Sequence, residues 1–182
     1  MSHSYTTRDL VTMALCAALM AICAWITVPI GPVPVTLQTF GVALVVYFLG
    51  GKKGFLAILV YLLLGFIGIP VFSGFKGGAG VLLGATGGYI VGFLAMALVW
   101  VALEHVCSAH RVTRILGMIL GLAACYALGT LWFYFSYGQG QGMTLLRVLE
   151  VCVFPFLLPD AVKLILAELV ASRVRKALPA MN

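Results

Sequence analysis

Acidic side chains are almost missing from this chain: there are five among 182 residues, namely Asp9, Glu104, Glu150, Asp160 and Glu168. Together with the basic residues they bring the charged fraction to only 9%, far below the quarter that is usual for soluble domains. Paired cysteines are missing as well. Cys16, Cys23, Cys107, Cys125 and Cys152 are scattered singly without a CxxC, so they read as small buried hydrophobes rather than as metal ligands or disulfide partners. The glycine-rich stretch at 77–88 lacks the Lys-Ser/Thr of a phosphate loop and follows no strand, which excludes nucleotide binding of that type. The apolar run after Arg8 and Asp9 lacks a small-residue cleavage site, so it reads as a retained helix rather than a signal peptide.

What is present is apolar: hydrophobic residues make up 63% of the chain, and the mean hydropathy is +1.16. That places it among integral membrane proteins, and its length suits one bundle, a single domain over residues 1–182. The net charge of +6 sits in short clusters between apolar runs. This is a topology signal, not a nucleic-acid surface. Breaks at Gly, Pro and charges predict six membrane helices, near 9–30, 35–50, 54–70, 82–103, 113–136 and 157–174. Residues 143–154, interrupted by Arg147 and Glu150, predict a short amphipathic helix at the surface.

Six spans put both termini on one side. Arg8, Lys52, Lys53, Arg111, Arg114, Arg173, Arg175 and Lys176 fall on that side, against Lys76 and Arg147 opposite. Eight against two predicts cytoplasmic termini. Asp160 lies 13 residues before Arg173, about 20 Å of helix, which puts it in the outer third of the bilayer with Lys163 one turn deeper. Ionisable groups at such depth are costly and usually functional. Pro159 and Asp160 also suit the first turn of a helix, as a proline start and a carboxylate at the positive dipole end. That plainer reading, with a local i, i+3 ion pair, accounts for Asp160 but leaves Lys163 without a reason.

Three loops on the outward side share an unusual chemistry. GPVPVTLQTF (residues 31–40) is uncharged and stiffened by two prolines, and brings Thr36, Gln38 and Thr39 to the second span. PVFSGFKGGAGVLLGATGGY (residues 70–89) is glycine-rich, so its backbone, Gly88 included, can approach a ligand closely or move as a flap. YGQGQG (residues 137–142) is the third. Irregular backbone at membrane depth is tolerated where it lines a cavity, so these loops and the Asp–Lys pair read as the lid and floor of an outward-facing pocket.

PVPVTLQTFGV, GFKGGAGVLLGATGGYIVGF and FPFLLPDAVK, in this order and spacing, resemble BioY. This is the family of biotin-specific S-components of energy-coupling-factor vitamin transporters. The resemblance runs from about residue 8 to 175 and implies a six-helix S-component fold in the plasma membrane of a prokaryote. It implies biotin as ligand, with Asp160 and Lys163 as the last-helix pair, and a transmembrane coupling subunit with two cytoplasmic ATPases as partners. The chain itself then needs no cofactor; ATP is used by the partners. Where the family often has GPTGGY, this chain has Ala85, which loosens the loop slightly.

Biotin suits these residues chemically. Its ureido ring offers two N–H donors and a carbonyl, and its tail a carboxylate. A buried carboxylate and an ammonium answer them with charge-assisted bonds, though which of the two meets which end stays open. Phe75 and Tyr89 are candidates to sandwich the ring body. In the first helix, Ala14 with Ala18 and Ala17 with Ala21 form small-xxx-small pairs that let backbones approach. The resemblance implies that such a stripe, Ala14 and Ala18, docks the coupling subunit.

Rival classes fare worse. An intramembrane enzyme needs a dyad, a triad or metal ligands at one depth. Asp160 is the lone outer-half carboxylate, Ser73 has no histidine partner, and His3, His105 and His110 fall on the opposite side. A carrier for another small vitamin stays open, as does function alone, as a homo-oligomer or with the coupling module. A purely structural subunit leaves Lys163 unexplained.

Overall fold

A computed structural model describes residues 5–29, 33–107 and 110–177. His3, Ile30, Gly31 and Pro32, named above, lie outside the described residues, as do the side chains of His105 and Cys107. The chain is mostly helical. The order is α1 (Thr7–Trp25), a ribbon of β1 (Thr27–Val28) and β2 (Val35–Thr36), then α2 (Gln38–Leu49), α3 (Gly51–Phe66), α4 (Ala79–Leu83), α5 (Gly87–Cys107), α6 (Arg111–Phe133), α7 (Leu145–Cys152) and α8 (Phe154–Ala177).

Thr6 starts α1 with a capping box to Asp9, satisfying two otherwise orphaned backbone N–H groups. The first helix is expected to reach residue 30 but ends at Trp25. The β-branched Thr27 and Val28 pair antiparallel with Thr36 and Val35 instead, so one short ribbon interrupts a mostly helical chain. Trp25 Nε1 donates to the Pro70 carbonyl at 2.9 Å, and the Thr27 and Ser73 hydroxyls meet at 3.0 Å. These bonds tie the ribbon to the glycine-rich loop. At the opposite end Gly50 takes φ +80° between α2 and α3, and the Gly51 N–H donates to both Glu104 carboxylate oxygens.

Helices α1, α2, α3, α5, α6 and α8 thus run between two ends. One carries the basic clusters; the other carries the ribbon, the loops, α4 and α7. Lys53 pairs with Asp9 at the basic end, and Arg114 of α6 with Glu168 of α8. Among the described residues three helices are long and apolar enough to cross a membrane: Thr7–Trp25, Gly87–Glu104 and the continuous stretch Arg111–Gln141. The expected fourth span begins later than predicted, at Gly87, because 79–83 folds as the separate α4.

Glycine brings α5 and α6 together. A Cβ on Gly92 would press on Cys125, one on Gly121 on Met96, and one on Gly129 would collide with the Tyr89 ring. This is the close approach that small residues permit in a seam between membrane helices. Beyond α6 the backbone loosens into a π turn at Tyr134–Gly138 and a 3-10 turn at Gln139–Gln141. Thr144 then caps the short α7, matching the amphipathic helix expected at 143–154.

One expectation about α8 is corrected. It starts at Phe154, so Pro159 lies inside the helix and Asp160 is beyond its first turn. An internal proline removes a backbone bond, and the helix-dipole account of Asp160 falls away with it.

Candidate binding site

Between α2, α5, α6 and α8, beneath β2 and the 70–86 loop, lies a cavity of about 410 Å³, within the usual range for small-molecule sites. Asp160 and Lys163 line it while exposing only 3% and 8% of their surface. Lys163 Nζ donates to Asp160 Oδ1 at 2.7 Å, and the Tyr126 hydroxyl of α6 donates to Oδ2 at 2.6 Å. Both carboxylate oxygens therefore already hold one charge-assisted or hydroxyl bond. Each keeps a further acceptor position, and the ammonium keeps two further N–H donors. The floor is thus electrically neutral yet rich in donors and acceptors, and its walls are apolar: Ile90, Phe93, Leu122 and Phe156.

The other predicted site residues divide. Thr36, Gln38 and Tyr89 line the cavity. Gln38 is fixed in place: its side-chain amide donates to the Tyr61 hydroxyl at 2.8 Å, which in turn donates to the Val71 carbonyl at 3.0 Å. Thr36 Oγ1 accepts from the Gln38 backbone N–H at 3.1 Å. The Tyr89 and Thr130 hydroxyls lie 3.2 Å apart, and the Tyr89 ring fills the space that Gly129 leaves open.

Phe75 and Gly88 do not line the cavity. Phe75 sits at positive φ in the turn, 65% exposed, with its ring stacked on Trp25 at 5.0 Å. Phe72 lines the cavity in its stead, wedged over Gly65 and edge-on to Tyr61. Gly88 is spent on helix packing, since a Cβ there would strike Trp132. On α1 the two alanine pairs part company: Ala17 and Ala21 are buried in the core, whereas Ala14 and Ala18 are exposed.

Tyr126 is the residue that sequence reading missed. A signal for it existed: 12 residues separate Arg114 from Tyr126 and 13 separate Asp160 from Arg173. The same count from the basic end puts both at one depth. Among the described residues no group of three His, Cys, Asp or Glu side chains could hold a metal ion.

Fold and site together define a membrane protein with a small-molecule pocket enclosed in its helical bundle. The chain belongs to the BioY family, whose model matches residues 1–180. It is similar to the biotin transporter BioY of Thermotoga maritima, at 41% identity over 93% of this chain and 96% of that protein. It is also similar to the probable biotin transporter BioY of Pyrococcus horikoshii, at 40% identity over 92% of this chain and 96% of the other. Among solved structures it resembles the S-component for biotin from an ECF-type ABC transporter. That match has a TM-score of 0.84 and 29% identity, and covers 95% of both chains. The family is one of transport subunits, so the chain is not an enzyme.

Proposed function

We propose that this chain captures biotin for uptake, seating the ureido ring on Asp160, Lys163 and Tyr126 with Thr36, Gln38 and Tyr89 along the wall. One observation carries the reading: a neutral, buried carboxylate–ammonium–hydroxyl cluster at the floor of an apolar-walled cavity. A cyclic urea needs two acceptors and a donor close together, and this buried cluster supplies them. The relatives named as biotin transporters support the choice of guest. Thermal unfolding of the purified protein tests it. Biotin at a thousand times its Kd should stabilise the fold by about 4 kcal/mol, and an unmoved transition with biotin present would sink the reading.

The bundle crosses the plasma membrane of a prokaryote six times as one domain, through α1, α2, α3, α5, α6 and α8, with the basic end in the cytoplasm. Support comes from eight basic residues at that end against Lys76 and Arg147 at the other. Uptake is energised by a transmembrane coupling subunit and two cytoplasmic ATPases, which matches the ECF-type assembly named for the structural relative. The exposed pair Ala14 and Ala18 offers the coupling subunit a close approach. Ala18→Trp should abolish co-purification with that subunit and reduce radiolabelled biotin uptake to background, with biotin Kd unchanged within twofold. Retained uptake would move the docking face elsewhere.

A further inference from the structure

Of the described residues lining the cavity, three are charged: Asp160, Lys163 and Lys76. The first two neutralise each other at 2.7 Å, so the cavity carries a net charge of about +1, all of it from Lys76. Among the described residues no hydrogen bond or ion pair engages the Lys76 ammonium, while its backbone is firmly held. The Phe72 N–H donates to the Lys76 carbonyl at 2.9 Å, and the Gly78 N–H to the Gly65 carbonyl at 2.6 Å. The intervening turn is set by positive φ at Gly74 and Phe75. Lys76 is exposed at the loop end, whereas the Asp160–Lys163 pair is buried. The site thus has a neutral floor and a cationic rim.

We infer that Lys76 is the counter-ion of the ligand carboxylate, and that the pocket selects a monoanion bound with its neutral polar ring inward and its acid toward the loop. This rests on the biotin reading above. A carboxylate seated on Lys163 would lie beside Asp160, two like charges sharing one ammonium in a dry site, which is the arrangement that like-charge repulsion disfavours most. Lys163 could serve the acid only by releasing Asp160, leaving that buried charge with Tyr126 alone. At the rim neither cost arises, and Lys76 reaches the acid without giving up a partner.

Biotin and its neutral primary amide, measured by calorimetry on the purified protein, distinguish the possibilities. The wild type should prefer biotin over the amide by roughly tenfold, as one charge-assisted bond implies. Lys76→Gln should erase that preference by weakening biotin alone, Lys76→Arg should restore it, and added salt should shrink it. A Lys76→Gln protein that keeps the wild-type preference, or loses affinity for both ligands equally, overturns the inference and leaves the biotin reading intact. A folded wild type that binds neither ligand removes both.

Discussion

Asp160→Asn should weaken biotin binding at least tenfold and leave the protein folded. The asparagine oxygen can still accept from Lys163, but it replaces a charged acceptor by a neutral one and offers an NH2 group where the ureido ring brings its own N–H donors. Losing charge-assisted bonds of this kind costs about 1.5–3 kcal/mol, which is a tenfold to roughly hundredfold loss in Kd. The fold survives because Lys163, although mostly buried, faces the cavity, where water can solvate an ammonium that has lost its partner. Lys163→Ala should lose binding to a similar extent. Tyr126→Phe should lose less, since it removes only a hydroxyl bond to one oxygen. The double variant Asp160→Asn/Lys163→Met is the sharpest control. It restores neutrality and so should melt near the wild type, yet it should bind no better than either single variant. Titration calorimetry beside thermal unfolding reads both quantities, and an Asp160→Asn protein with wild-type affinity would remove the pair from the site.

How much of this was legible beforehand depends on which physical effect set each position. Bilayer thickness and charge asymmetry act on long stretches, and they put Asp160, Lys163 and the glycine-rich loops at one end with nothing but counting. Local propensity was less reliable. Pro159 looked like a helix start because proline favours first turns, but α8 begins at Phe154 and carries the proline inside. The β-branched residues after Trp25 turn into a ribbon that a hydropathy count reads as more helix. Choosing among aromatics in VFSGF needed the turn itself. Positive φ at Gly74 and Phe75 sends Phe75 outward to Trp25 and leaves Phe72 facing the cavity. Gly88 was ambiguous for a related reason, because a helix seam and a ligand loop make the same demand for small residues, and the sequence does not show its packing against Trp132. Tyr126 was recoverable, because the depth count that located Asp160 applies equally to α6.

The second buried ion pair should behave in the opposite way to the first. Glu168 is 0% exposed; one oxygen accepts from Arg114 Nε at 3.0 Å, from Arg114 Nη2 at 2.5 Å and from Ser172 Oγ at 2.7 Å. It joins α6 to α8 at the basic end, as Tyr126 and Asp160 join them at the cavity. Unlike that pair, it does not line the cavity, and while Glu168 is wholly buried, Arg114 keeps 18% of its side chain exposed. Glu168→Ala should therefore destabilise the protein by about 1.5–3 kcal/mol, the range for hydrogen bonds to charged groups, lowering its melting temperature by on the order of 5 °C. Biotin Kd, measured well below that temperature, should stay within about twofold of the wild type, because binding energy and this clamp are spatially separate. Adding Arg114→Met should change stability by less than the sum of the two single variants, since both remove the same pair. A melting temperature within a degree or two of the wild type would show that the clamp is dispensable. A large loss of affinity without a loss of stability would mean that the two ends of the α6–α8 interface are coupled, and that α8 carries ligand occupancy from the cavity to the basic end.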